Sequence, residues 1–182
     1  MDTRQIYEPV YVRYREIVER ELQGITGRVF KLDLYNEEHG DWKSIPALMN
    51  YDVTYIEINL GRCQNVHTSH PEMKIVQGDI RHLPFKDKAF SVIVDLSTVD
   101  HIHPADLAQT IDEYIRVLEG KLIMVAWFRE VIGEASEPWN PDTQYYLSPK
   151  ELNCLSAKFN IVECKPFHEE NGAQLLEICG NT

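Results

Sequence analysis

Four carboxylates, Asp33, Glu57, Asp79 and Asp95, each stand at or just beyond the end of a short apolar run: VFKLDL, VTYIEIN, KIVQ and FSVIVDL. An ionised carboxylate only accepts hydrogen bonds, and can take several at once, so an acid at such a position can hold hydroxyl, amino or cationic groups. Glu57 is the strongest candidate, because an acid ending a second strand can accept two hydroxyl donors together, as in dinucleotide sites. Asp95 can orient a substrate or simply cap a turn. Downstream, Asp100-His101-Ile102-His103 with Asp106 offers either metal ligands or a general base, or a histidine that packs at the start of the next helix; His101 is the first base to test. A further acidic run, Tyr35-Asn36-Glu37-Glu38-His39-Gly40, directly follows the first apolar run.

These groups need a scaffold that gathers strand ends. The apolar runs are short, rich in β-branched residues and bounded by turn residues, which fits buried strands of a parallel sheet. The expected strands are Val29 to Leu34, Val53 to Asn59, Lys74 to Gln77, Phe90 to Leu96 and Lys121 to Phe128, followed by Phe159 to Cys164 and Ala173 to Cys179. Between them, residues 4–23 carry Tyr7, Val10, Tyr11, Tyr14, Ile17, Val18 and Leu22 on one helical stripe. Residues 42–50 predict a short helix interrupted by Pro46, and Gly61 to Met73 a polar connection with room for another. Pro104 opens a helix that continues through Leu107, Ile111, Tyr114 and Leu118, with Arg116 suited to its negative end. Ser148-Pro149-Lys150-Glu151 is a capping box for a late helix. The order predicts a doubly wound, mostly parallel α/β sheet with helices on both faces and an antiparallel strand near the C-terminus. In such a sheet ligands sit outside the carboxyl ends of the strands, where the acids are.

The 182 residues, 43% hydrophobic and 26% charged, suit one domain over residues 1–182. A net charge of -11 argues against non-specific binding to nucleic acid or to anionic membrane. No apolar run is long enough to cross a bilayer, and the N-terminus lacks the apolar core of a signal peptide, so a cytoplasmic location is expected. Cys63, Cys154, Cys164 and Cys179 lack CxxC spacing and read as reduced thiols, with no metal expected. No GxGxxG follows a strand and no GxSxG elbow is present, which disfavours a nicotinamide oxidoreductase and a serine hydrolase.

The segment QGDIRHLPFKDKAFSVIV, Gln77 to Val94, resembles the QGDxxxLPFxDxxFDxV pattern of class I S-adenosylmethionine-dependent methyltransferases, particularly the small-molecule group. VTYIEIN, EYIRVLEGKLIMV and YYLSPKELNCL extend the likeness over almost the whole chain. The resemblance implies a Rossmann-like fold, S-adenosylmethionine as cofactor and a small-molecule substrate. It implies that Asp33 lies near the amino-acid end of the cofactor, with Tyr35 and Glu37 of the adjoining variant turn also contacting the cofactor, and Glu37 or Glu38 available to bind its ammonium or sulfonium charge. Glu57, with Ile58 beside it, would accept from the ribose hydroxyls. Asp79 would accept from the adenine amino group with the backbone of Ile80 at the ring edge, and Leu96 and Ser97 would floor the pocket. The sequence departs from the family after the first strand, where a glycine-rich turn of the kind LDLGCGTG is replaced by LDLYNEEHG. Ser91 also stands where the family has aspartate.

Two readings follow. One is methyl transfer to a small molecule, its specificity set by the N-terminal helix and the loop from Arg129 to Leu147, with Trp127, Trp139, Tyr145 and Tyr146 available to wall a substrate pocket. The other, motivated by the missing glycines, is a methyltransferase-like domain that binds or regulates without catalysing.

Overall fold

A computed structural model describes residues 3–40, 42–130 and 143–182. Most of the loop expected to wall a substrate pocket, including Trp139, lies outside the described residues. Helix α1 (Thr3–Leu22) precedes β1 (Arg28–Leu32), a single helical turn α2 (Tyr35–Glu38) and β2 (Asp52–Glu57). Next come α3 (Leu60–Ser69), β3 (Lys74–Gln77), β4 (Phe90–Leu96), α4 (Pro104–Val117) and β5 (Leu118–Phe128). The chain ends with α5 (Pro149–Lys158), β6 (Asn160–Glu170) and β7 (Ala173–Asn181). Pro46–Asn50 is a 3-10 turn where a short helix was expected; Pro46 lacks the N–H that would extend it backwards. No helix among the described residues is long and apolar enough to cross a membrane.

The strands form one sheet in the order β3-β2-β1-β4-β5-β7-β6. All pairings up to β5 are parallel, and β7 runs antiparallel to both neighbours. Alternation along each strand divides the interior in two. Phe30, Ile56, Ile93 and Met124 pack with Leu107, Ile111 and Tyr114 of α4 and Leu155 of α5. Val29, Val53, Val94 and Val125 pack on the other face with Tyr14, Ile17 and Val18 of α1 and Val66 of α3. Helices on both faces explain why the central strands are apolar throughout rather than alternating with solvent.

The helix signals have direct counterparts. In α5 the backbone N–H of Ser148 donates to Glu151 Oε2 at 3.1 Å and that of Lys150 to Ser148 Oγ at 3.2 Å. In α4, Pro104 is in the first turn, and His103 Nδ1 accepts from the N–H of Ala105 at 3.1 Å. Arg116 does more than offset a helix dipole. It donates to the carbonyls of Leu83 and Phe85 at 2.9 and 2.7 Å, while Glu113 accepts from the N–H of Leu83 at 2.6 Å. The Leu-Pro-Phe loop is thereby tied to α4, and Phe85 inserts edge-on against Phe30 and Phe90.

The first strand is shorter than expected. It stops at Leu32, and Asp33 turns out of it with φ 56°. The expected glycine position, aligned by the resemblance at Tyr35, is therefore not where the left-handed backbone falls.

Candidate active site

Between β1 and β4 the connections turn in opposite directions, and a cavity of about 480 Å³ opens there, across the carboxyl ends of β1 to β5. This is the topological switch point where open α/β sheets hold ligands, and the volume lies in the usual range for small-molecule sites. Asp33, Tyr35, Glu57, Ile58, Asp79, Ile80, Leu96 and Ser97 all line it, as does His101. Glu37 and Asp95 do not.

Two residues on the floor, Asp33 and Ser97, hold left-handed backbone without being glycine, each at a cost of about 1–2 kcal/mol. Local bonds compensate. The fully buried ammonium of Lys31 donates to the carbonyls of Leu32 and Asp33 at 3.2 and 3.1 Å. Asp33 Oδ1 accepts from the N–H of Tyr35 at 2.9 Å, an Asx-type turn, and Thr98 Oγ1 donates to Asp33 Oδ2 across the β1 and β4 ends. Ser97 Oγ bonds Tyr14 Oη of α1 at 3.0 Å.

Lys31 also lies 3.2 Å from Glu37 Oε2 and 3.5 Å from Asp33 Oδ1. Burial disfavours its charge, but the two carboxylates outweigh burial and hold its pKa above the usual ammonium range. Glu37 is raised by its own burial against the pull of Lys31. The turn that glycines build in the resembled family is built here around an internal cation. Glu37 is a counter-ion behind the site instead of a group facing a ligand.

Glu57 Oε1 accepts from the N–H of Asn59 at 2.8 Å, and Oε2 from the N–H of Leu34 at 3.2 Å and from Arg62 Nη1 at 3.0 Å. With three bonds made, one of the roughly four acceptor positions of a carboxylate remains. Arg62 reaches on to Glu38 at 2.8 Å. Asp79 is more fully engaged: the side chain of Arg81 holds both oxygens at 2.6 to 3.0 Å and its N–H adds a bond of 2.9 Å. Burial raises Asp79, but these bonds prevail and keep it below the usual carboxylate range. Arg81 also pairs with Asp106 at 2.9 Å.

Asp95 is wholly buried, and burial pushes its carboxyl up to about 7. It accepts from the N–H groups of Thr98 and Val99 at 2.9 and 3.3 Å and from Tyr114 Oη at 2.9 Å. It therefore caps the turn after β4, with no face on the cavity. Asp100, equally buried and raised by burial with His101 opposing, accepts from Gln144 Nε2 at 2.7 Å. His101 Nδ1 lies 3.1 Å from the carbonyl of Thr143. A carbonyl can only accept, so Nδ1 carries the proton and Nε2 is the basic nitrogen of the neutral ring.

The opposite wall comes from α1 and the β5 end: Tyr7, Tyr11, Tyr14 and Trp127, with Gln144. The tyrosines were legible as a helical stripe but not as cavity lining. Lys31, Arg62, Arg81 and Gln144 were missed. Only Lys31 left a trace, as a charge interrupting an otherwise apolar central strand. Among the described residues the one cluster with metal-ligand spacing, Glu21, Glu163, Glu177 and Cys179, lies away from this cavity. Arg13 and Arg20 already pair with its Glu177.

Residues 40–124 match the family described as a methyltransferase domain. The match begins just beyond the acidic turn, leaving β1 and Lys31 outside it. An eEF1A lysine and N-terminal methyltransferase homolog of Drosophila pseudoobscura pseudoobscura is 27% identical over 101 residues, which cover 56% of this chain and 12% of that protein. The chain thus aligns with about an eighth of that relative's length. Among solved structures, the [4+2]-cyclase SpnF superposes with a TM-score of 0.74 at 12% identity, over 94% of this chain and 80% of the other. The Burkholderia thailandensis 1,6-didemethyltoxoflavin-N1-methyltransferase, with its substrate and S-adenosylhomocysteine bound, superposes with a TM-score of 0.69 at 15% identity, over 99% and 81%.

Proposed function

From a chain with the class I methyltransferase fold, residues 40–124 of which match the methyltransferase domain family, we propose that the cavity binds S-adenosylmethionine and supports methyl transfer to a small molecule. The observation that carries this reading is the convergence of Asp33, Glu57, Asp79 and Ile80 on one cavity at the switch point. In this reading Glu57 accepts from the ribose hydroxyls, Asp79 and Ile80 border the adenine, and Asp33 faces the amino-acid end. The cavity volume fits such a ligand, and the acceptor position left on Glu57 takes one hydroxyl, the second requiring Arg62 to give way. When bound, the cofactor supplies an electrophilic methyl group on a positively charged sulfur. The protein's share is to hold and align the two reactants and to exclude water, with His101 Nε2 able to take a proton from the acceptor.

One observation favours the second reading, a domain that binds or regulates without catalysing: Arg81 saturates Asp79 and Arg62 occupies Glu57, so an adenosine ligand must displace cations to use those acids. Calorimetric titration with S-adenosylmethionine and S-adenosylhomocysteine separates the two. Enzymatic methyl transfer requires binding that falls at least about tenfold, or 1.4 kcal/mol, in Glu57→Gln. Tight S-adenosylhomocysteine binding without turnover of any amine, hydroxyl or thiol acceptor supports the second.

A further inference from the structure

The cavity has a second half, between α1 and the ends of β4 and β5, that the cofactor reading leaves to the substrate. Its wall is built from rings and from polar groups, three of which donate a hydrogen to a carboxylate behind them. Tyr7 Oη donates to Glu170, at 3.1 and 3.4 Å from the two oxygens. Thr98 Oγ1 donates to Asp33, and Gln144 Nε2 donates to Asp100 Oδ2 at 2.7 Å. The last bond holds whether Asp100 is ionised or carries a proton on its other oxygen. Three lining side chains thus point hydrogens backwards into carboxylates. Tyr7, Thr98 and Gln144 line the cavity, and each keeps an oxygen able to accept. The rings of Tyr7, Tyr11, Tyr14 and Trp127 complete the wall.

Lone pairs and aromatic faces recognise the same thing, a donor with positive charge. The carboxylates behind the wall reinforce that preference. The outer side of the same aromatic cluster already seats a cation: Lys43 Nζ lies 4.3 Å from the Tyr35 centroid and 5.6 Å from that of Tyr11. Lys43 does not itself line the cavity.

We propose that this half of the cavity recognises its substrate through an ammonium group, so that the substrate class is a small amine, whichever of its atoms accepts the methyl. This rests on the reading of the other half as the cofactor site. An anionic substrate of the same shape finds acceptors where it needs donors, and a neutral alcohol can donate to the same oxygens but gains nothing from the carboxylates and ring faces that favour positive charge.

The test is calorimetry with benzylammonium, benzyl alcohol and benzoate, three probes of similar shape and different charge, on protein saturated with S-adenosylhomocysteine and on free protein. The expected result is benzylammonium bound about tenfold more tightly than benzyl alcohol, with benzoate weakest. Tyr7→Phe, which keeps the ring and removes the oxygen, and Gln144→Leu should each shrink that preference severalfold. Equal affinity for the ammonium and the alcohol, tighter benzoate, or no binding of any probe at millimolar concentration would overturn the proposal. Failure of S-adenosylhomocysteine to bind overturns the cofactor reading instead, and the same probes on free protein still read the wall.

Discussion

Replacing Lys31 by methionine removes the cation around which the turn after β1 is built. The change leaves Glu37 buried without a counter-charge and Asp33 without the ammonium that holds two carbonyls of the turn. Breaking a buried pair by deleting one partner costs about 3–5 kcal/mol, because the orphaned charge stays in a low-dielectric interior. The loss should depend on pH. A carboxyl whose pKa is raised by folding costs stability above its unfolded value, and the cost grows until pH passes the folded value. Glu37 is already raised by burial in the intact protein and will be raised further without Lys31. The deficit in Lys31→Met should therefore be largest at neutral pH and shrink towards about pH 4, where Glu37 keeps its proton in both states. Equilibrium urea unfolding at neutral and acidic pH measures it, with Lys31→Met/Glu37→Gln as the partner variant that removes the orphaned charge. Recovery of half or more of the lost stability in the double variant is expected. A loss below about 1 kcal/mol, or one independent of pH, would refute the role assigned to the internal cation.

Other expectations follow from the same contacts. Asp95, pushed up to about 7 by burial, makes the native state costlier to ionise, so its contribution to stability should fall between about pH 4 and pH 7 by on the order of 4 kcal/mol. Asp95→Asn should flatten that part of the stability profile, measured by urea unfolding across the range. Arg116→Ala strips two bonds from the Leu-Pro-Phe loop and should cost about 2–3 kcal/mol in thermal or urea unfolding. Arg81→Met releases Asp79 and should strengthen S-adenosylhomocysteine binding severalfold by calorimetry; unchanged affinity would remove Asp79 from the adenine contact.

Much of the fold was legible because the pattern and the physics agree. Lys74 to Gln77 and Phe90 to Leu96 are bounded by turn residues, and both strands have the expected limits. The capping box at Ser148 needs only four residues in sequence, so it reads directly. The limit of β1 was not legible. VFKLDL continues as an apolar run through Leu34, and only the ammonium of Lys31 bonding back to its own strand end shows why the backbone turns at Asp33. The acids were found because strand ends in a doubly wound sheet converge whatever lies between them. Their occupancy was not, since Arg62 reaches Glu57 from α3 and Arg81 folds back on Asp79 through side-chain geometry that spacing does not encode. Gln144 gave no signal, because its neighbours in the wall come from distant parts of the chain.

A crystal of this protein soaked with S-adenosylhomocysteine tests the cofactor site most directly. Density should fill the cavity, with the ribose hydroxyls within hydrogen-bond distance of Glu57, the adenine beside Asp79 and Ile80, and Tyr35 and Asn36 lining the amino-acid end. A cavity left empty at saturating ligand, or a ligand bound elsewhere, would contradict it.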